Sequence, residues 1–250
     1  DTEVVTAGVR NHGALIVRGL FSERACADLR QTIDAAEAAF VREPRELDPR
    51  YFMPLTDLSG AEVSAYFRSI NWAGGRPVPD VPAAAEVILS EFRRAGVPDV
   101  VAGYLDERPA VSMEKWTLRK VAPDPNGSWH QDGAFLGADK HALNLWVALS
   151  DCGQTASGLD IVAKRFDEIV PVGTEGAYFE WDVSGQVVQQ VRGERPIVSP
   201  VFATGDAIFF DHYLLHRTGL GSEFVDWRYA LETWFFAAST LPDNYEGLLV

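Results

Sequence analysis

The sequence predicts a mainly β fold with flanking helices, a jelly roll or small barrel behind an α-helical N-terminal part. Residues before about 110 hold the helix-period segments, whereas later ones run in short β-branched and aromatic stretches cut by Gly, Pro, Asp and Asn. No helical segment of respectable length separates those later stretches, so their strands are expected to pair mostly antiparallel.

Gly13-Ala-Leu-Ile-Val-Arg-Gly19 is an apolar run between glycines and reads as a strand. Ser22 caps a helix running to about 41, with Cys26, Leu29, Ile33, Ala36 and Phe40 at helical spacing. Helices are expected again over 61–70 and 83–96, with the Gly- and Pro-rich stretch 74–82 as a loop between them. Strands are expected over 111–121, 142–149, 159–162, 197–202, 207–211 and 228–238. The stretch 171–196 alternates weakly and carries several glycines, which fits a hairpin insertion or a loop over the barrel mouth.

Composition narrows the partners. Of 250 residues, 47% are hydrophobic and 23% charged, a globular balance that excludes a disordered chain. No apolar run approaches the ~18 residues of a membrane-spanning helix. A net charge of −14 argues against nucleic acid or an anionic membrane as partner and leaves a small-molecule substrate. Two cysteines, Cys26 and Cys152, cannot build a disulfide framework. Asp1 in place of Met points to a longer parent chain, and no leader pattern is visible, so a cytoplasmic location is expected.

Chemistry is concentrated in few residues. His130-Gln131-Asp132 is an H-x-D pattern that puts imidazole and carboxylate on one side of an extended backbone, two of the three ligands a non-haem Fe(II) site needs. Alone it is weak, since five histidines among 36 acidic positions give about 0.7 chance pairs. Downstream, Gly205-Asp-Ala-Ile-Phe-Phe-Asp211 reads as turn and apolar strand, followed by His212 and His216. Arg228 opens the last strand, where a guanidinium is either a solvated rim group or a fork for a carboxylate.

Taken in order, Trp129-His-Gln-Asp-Gly133, Asn144-Leu-Trp-Val-Ala-Leu-Ser-Asp151, Ser157-Gly-Leu-Asp-Ile-Val162, Gly205-Asp-Ala-Ile-Phe-Phe-Asp211, His216-Arg-Thr218 and Arg228-Tyr-Ala230 resemble the phytanoyl-CoA dioxygenase-like branch of Fe(II)/2-oxoglutarate oxygenases. The resemblance implies a double-stranded β-helix, the cupin-like jelly-roll barrel. It also implies Fe(II), 2-oxoglutarate as co-substrate and O2. It makes His130, Asp132 and a distal histidine the metal ligands. Either His216 or His212 could serve, and the family spacing from Asp211 and the following x-Thr favour His216. Arg228, assisted by Thr218, would hold the far carboxylate of 2-oxoglutarate, and Asn144 and Trp146 would wall its pocket. Thr117, Arg119 and Lys120 could also reach the site, although a surface or structural role is the commoner fate of such residues.

With Asp132 present, hydroxylation or another C–H oxidation is implied rather than halogenation. Two departures from the family stand at Ala163-Lys-Arg-Phe166 and Gly219-Leu-Gly-Ser-Glu-Phe224, and both could reshape the pocket. The expected organisation is one oxygenase domain over 1–250, with 1–110 as a largely helical buttress and 111–240 as the jelly-roll catalytic core. Competing readings are a non-catalytic jelly-roll ligand-binding protein and a cupin-like metalloenzyme that uses no 2-oxoglutarate.

Overall fold

The computed structural model describes residues 1–42, 75–123, 125, 127–243 and 245–250, with side chains from 39 to 42 left aside. The helix expected over 61–70 and the Phe40 side chain lie outside the described residues.

The chain begins with α1 (Thr2–His12), which the sequence reading missed. Only three of its residues are buried, so its apolar periodicity is faint, yet its ends are marked. Asp1 accepts the Glu3 N–H at 3.0 Å, and Gly13 closes the helix at φ 81, returning its N–H to Val9 O at 2.7 Å. After β1 (Ala14–Val17) comes α2 (Glu23–Arg42), whose Ser22 cap accepts the Ala25 N–H at 3.2 Å. Cys26, Leu29, Ile33 and Ala36 are buried along its inner face, as the spacing predicts.

Part of the stretch expected as a loop is instead β2 (Gly75–Pro77), a short edge strand. The helix α3 (Pro82–Ala95) ends at Gly96, φ 68, and α4 (Val97–Leu105) follows immediately. That second helix was hidden because Gly96 and Pro98 read as a stop. Pro98 sits in its first turn, where its missing N–H costs nothing.

The remaining strands are β3 (Pro109–Val121), β4 (Ala142–Ala148), β5 (Leu159–Val162), β6 (Ile197–Val198), β7 (Ala207–Asp211), β8 (His216–Thr218), β9 (Arg228–Ala237) and β10 (Gly247–Leu249). Sequence patterning located β3, β4, β5, β7 and β9 closely, overran β6 and missed the three-residue β8 and β10. Two helices interrupt the strands against expectation: α5 (Gly133–Leu136) and α6 (Gly185–Arg192). The latter, capped by Ser184, replaces the hairpin alternative for 171–196, while the rest of that stretch is a loop at the site.

The strands form two sheets with antiparallel pairing throughout. Seven strands run β1-β7-β4-β9-β3-β10 with β2 added beside β3, and three run β6-β5-β8. This is the jelly-roll arrangement of facing sheets. β4 is buried on both faces, which explains its unbroken apolar run. Leu143, Leu145 and Val147 pack with the helices, whereas Ala142, Trp146 and Ala148 enter the core between the sheets. β1 lies at the edge of the large sheet, so the segment before 111 contributes strands as well as helices. Among the described residues no helix is long and apolar enough to cross a membrane.

Candidate metal and co-substrate site

The chain leaves the large sheet at Asp211, turns through 212–215 and enters the small sheet at His216. There His216 meets His130 in an isolated antiparallel bridge, with each backbone N–H donating to the other's carbonyl at 3.0 Å. Residues directly opposed in such a bridge project to the same side, so the two imidazoles stand together with centroids 4.4 Å apart. Asp132 joins them by a different route from the one the sequence suggested. It sits in helical geometry at the entrance to α5, φ −63 and ψ −25, rather than on an extended strand. Even so, its Oδ1 lies 3.4 Å from His130 Nε2, and one ligand atom from each of the three residues falls within 4.8 Å of the others.

The protonation pattern suits a cation. His130 Nδ1 lies 2.9 Å from Ser128 O and His216 Nδ1 lies 3.0 Å from Leu214 O. A carbonyl only accepts, so each Nδ1 donates and each Nε2 is the ring nitrogen left for a metal. Burial, reinforced by the neighbouring His130, pushes His216 down to about 3, so it is neutral at physiological pH. Burial pushes the Asp132 carboxyl up to about 6, and its Oδ2 has no hydrogen-bond partner. A bound divalent cation would satisfy that oxygen and reverse the cost of ionising it. Two imidazoles and one carboxylate with open positions are the donor set of a non-haem iron site, and the residues fit Fe(II).

Gln131, between the two ligands, is fully buried and points the other way. Its amide donates to Tyr213 O at 2.7 Å and Glu168 O at 3.1 Å and accepts from Val170 N at 2.7 Å. It thereby ties the H-x-D segment to the turn that delivers His216. The other distal candidate, His212, is turned away, its Nε2 3.3 Å from Ala138 O and its ring against Tyr213. On one continuous strand the two histidines would share a face, but the turn at 212–215 breaks that parity.

A cavity of 1380 Å³ opens on the triad and is also lined by Arg228, Thr218 and Trp146. Arg228 is 4% exposed. It donates from Nη1 to Gly158 O at 3.0 Å, leaves Nε unpartnered, and lies 5.8 Å from the Trp146 ring centroid. Burial lowers it only to about 10, so it stays cationic, a desolvated fork that calls for an anion. Asn144 shares the inner face of β4 with Trp146 and is fully buried with both amide atoms unpaired, although it does not line the cavity. The residues therefore offer a metal centre and a separate cationic anchor on one cavity, which fits a chelating dicarboxylate.

Thr117, Arg119 and Lys120 all line this cavity, and Arg119 and Lys120 are held there in ion pairs. Glu232, which the sequence reading passed over, is paired with Arg119 at 2.8 Å. Burial alone would raise the Glu232 carboxyl, but the Arg119 charge and hydrogen bond outweigh it and hold it below its usual range. The available signal was parity: Arg228, Ala230, Glu232 and Trp234 alternate onto the inner face of β9. Over the triad stands Trp181, edge-on to His130 at 5.6 Å and to Phe135 at 5.6 Å.

A double-sheet jelly roll carrying an iron-type triad and a buried anion anchor defines a non-haem oxygenase architecture. The sequence pattern of the family described as Phytanoyl-CoA dioxygenase (PhyH) matches residues 9–220, and the chain belongs to that family of Fe(II)/2-oxoglutarate-dependent oxygenases. No curated protein matches it in sequence. Among solved structures it is similar to EctD from S. alaskensis with 2-oxoglutarate and 5-hydroxyectoine, at 16% identity and TM-score 0.66, over 94% of this chain and 76% of that one. It is also similar to AviO1 from Streptomyces viridochromogenes Tue57, at 18% identity and TM-score 0.61, over 97% of both chains. A third is the epimerase SnoN in complex with Fe3+, alpha ketoglutarate and nogalamycin RO, at 16% identity and TM-score 0.58, over 95% of this chain and 84% of that one. At these identities the likeness is one of fold.

Proposed function

We propose that the protein oxidises an unactivated C–H bond of a small metabolite or natural-product intermediate, releasing succinate and CO2, with the whole chain acting as one oxygenase domain. His130, Asp132 and His216 hold Fe(II), Arg228 with Thr218 receives the far carboxylate of 2-oxoglutarate, and Trp146 walls its pocket with the buried Asn144 behind it. The observation that carries this reading is the pair of Nε2 atoms and the orphaned Asp132 oxygen on the same cavity as a buried, half-satisfied Arg228.

Bound Fe(II) would use O2, with 2-oxoglutarate as the co-reductant given up as succinate and CO2, to supply the oxidant for the substrate C–H bond. The chain's own part is placement. The His130–His216 bridge and the Gln131 lock fix three ligands on one side and leave the cavity side open. Arg228 selects a diacid long enough to span from metal to guanidinium, since a shorter acid leaves a buried cation unmatched. Trp146, Phe210 and Trp234 keep the inner end dry, which limits oxidation without substrate. The cavity exceeds the ~300–1,000 Å³ of most ligand sites, leaving room for a sizeable substrate beside the co-substrate. EctD's structure with 5-hydroxyectoine supports hydroxylation on this fold, and the epimerase SnoN and the carbocyclase SnoK show other outcomes on it.

The test is succinate release from 2-oxoglutarate with Fe(II) and O2 across a panel of small metabolites, followed by product identification. Stimulation by a substrate that gains oxygen supports hydroxylation. A product without added oxygen shifts the reading to cyclisation, epimerisation or desaturation. Binding without succinate under every condition would make the protein a ligand-binding jelly roll.

A further inference from the structure

The register between β3 and β9 slips between Val111 and Trp116, a bulge pinned from outside the sheet. Ser112 Oγ accepts the Lys115 N–H at 3.3 Å and donates to Glu114 at 3.1 Å. Glu246, just before β10, donates its N–H to Glu114 at 3.0 Å and accepts the Met113 N–H at 2.9 Å. Beyond the bulge Trp116 and Leu118 enter the helix-side core, so Lys115 is aimed at the cavity and lines it.

Lys115 differs from the other cations there. Arg119 is paired with Glu232, Lys120 with Asp34 and Glu37 at 2.7 and 2.8 Å, and Arg76 is held beside Asp80 and Glu37. Arg228 is the co-substrate anchor. Among the described residues the Lys115 ammonium has no ion pair and no hydrogen bond, although it is half-buried. Its Nζ lies 4.7 Å from the Phe135 centroid, and its charge acts on both Asp132 and Glu232, which places it close to the reacting end of the cavity. The neighbouring wall is aromatic. Phe135 meets Trp181 edge-on, and Trp181 stacks on Phe179 at 4.9 Å with 8° between the planes.

We propose that Lys115 pairs with a carboxylate of the primary substrate, whose flat apolar body lies against Phe135 and Trp181. This deepens the oxygenase reading and rests on it for the charge balance of the occupied site and the position of the reacting C–H bond. Fe(II) with Asp132 leaves +1, 2-oxoglutarate with Arg228 leaves −1 and Arg119 cancels Glu232, while Glu114 is turned to Ser112 and the Glu246 N–H, so the Lys115 ammonium is the cation without a partner among the described residues. A half-buried ammonium over an aromatic edge of the cavity gains a partner only when an acidic ligand enters.

The 250-residue protein with Fe(II) and saturating 2-oxoglutarate, kept anaerobic, is titrated with 2-naphthoate and with its uncharged counterpart 2-naphthamide, read by tryptophan fluorescence. The expected result is about tenfold tighter binding of the acid, equivalent to ~1.4 kcal/mol, with the preference abolished in Lys115→Met and retained in Lys115→Arg. Trp181→Leu weakens both probes together. Equal affinities in the unmodified protein, or a preference that survives in Lys115→Met, overturn the proposal. The wild-type comparison decides even if a variant does not fold. The visible Fe(II)–2-oxoglutarate band, read in the same samples, judges the oxygenase reading separately. A charge preference without that band removes the oxygenase reading alone, and the band without the preference removes the Lys115 proposal alone.

Discussion

His212 and His216 stand four residues apart, and the backbone between them decides which one joins the candidate metal triad. The bridge to His130 fixes His216, whereas His212 packs in a turn. His216→Ala is therefore expected to abolish stoichiometric iron binding. His212→Ala should keep the iron and lose roughly 1 kcal/mol of stability with its buried hydrogen bond. Iron content after anaerobic loading and desalting, read beside urea unfolding, checks both. Arg228→Ala should raise the 2-oxoglutarate requirement by about a hundredfold, since a charge-assisted bidentate contact is lost, with iron content unaffected. A requirement within twofold of wild type places the anchor elsewhere. At this scale the sequence was legible wherever the ordered motifs spoke. Lys115, Gln131 and Glu232 were opaque because their placement depends on a bulge, a turn and a parity that single-residue patterns do not encode.

The β1–β7 pair is stitched at its open end by side chain and backbone together. Gly205, φ 90, lets its carbonyl accept the Phe21 N–H at 3.0 Å, and an added Cβ would stand 2.4 Å from Phe21 O. Gly205→Ala combines positive φ with that clash and is expected to cost about 3 kcal/mol in urea unfolding. Beside it, Asp206 accepts from Arg18 at 2.6 Å and from the N–H groups of Gly19 and Ala203, each at 2.9 Å. Burial alone would raise this carboxyl, but those donors outweigh it and hold it below the usual carboxylate range. Its contribution is then complete above the unfolded pKa of ~3.9 and is lost as pH falls through the lower folded value. The stability gap between wild type and Asp206→Asn, about 1–3 kcal/mol at neutral pH, should narrow below about pH 4. A gap constant down to pH 3 contradicts this assignment. Elements with strong apolar patterning were readable in advance. The short strands β2, β8 and β10 were not, because three residues carry too little pattern and form only where a neighbour already presents an edge.

For the molecule as a whole, net charge proved the wrong measure. A chain at −14 nevertheless turns cations inward, with Arg228 and Lys115 both lining the cavity. The jelly roll was foreseeable from antiparallel patterning, as was a loop over the barrel mouth in 171–196, whereas the helix at its end was not, since only Val187 and Val188 of its residues are buried. Because the site joins both sheets, ligands that fill it should stabilise the fold globally. Anaerobic Fe(II) with 2-oxoglutarate at about 100 times its Kd adds ~2.7 kcal/mol and raises Tm accordingly. The most direct test of the central claim is anaerobic titration of the purified protein with Fe(II) and 2-oxoglutarate, read by visible absorption. The account predicts a weak metal-to-ligand charge-transfer band that saturates at one equivalent of iron, requires 2-oxoglutarate and is absent from His216→Ala. No band in the wild-type protein, or an equal band in His216→Ala, would contradict it.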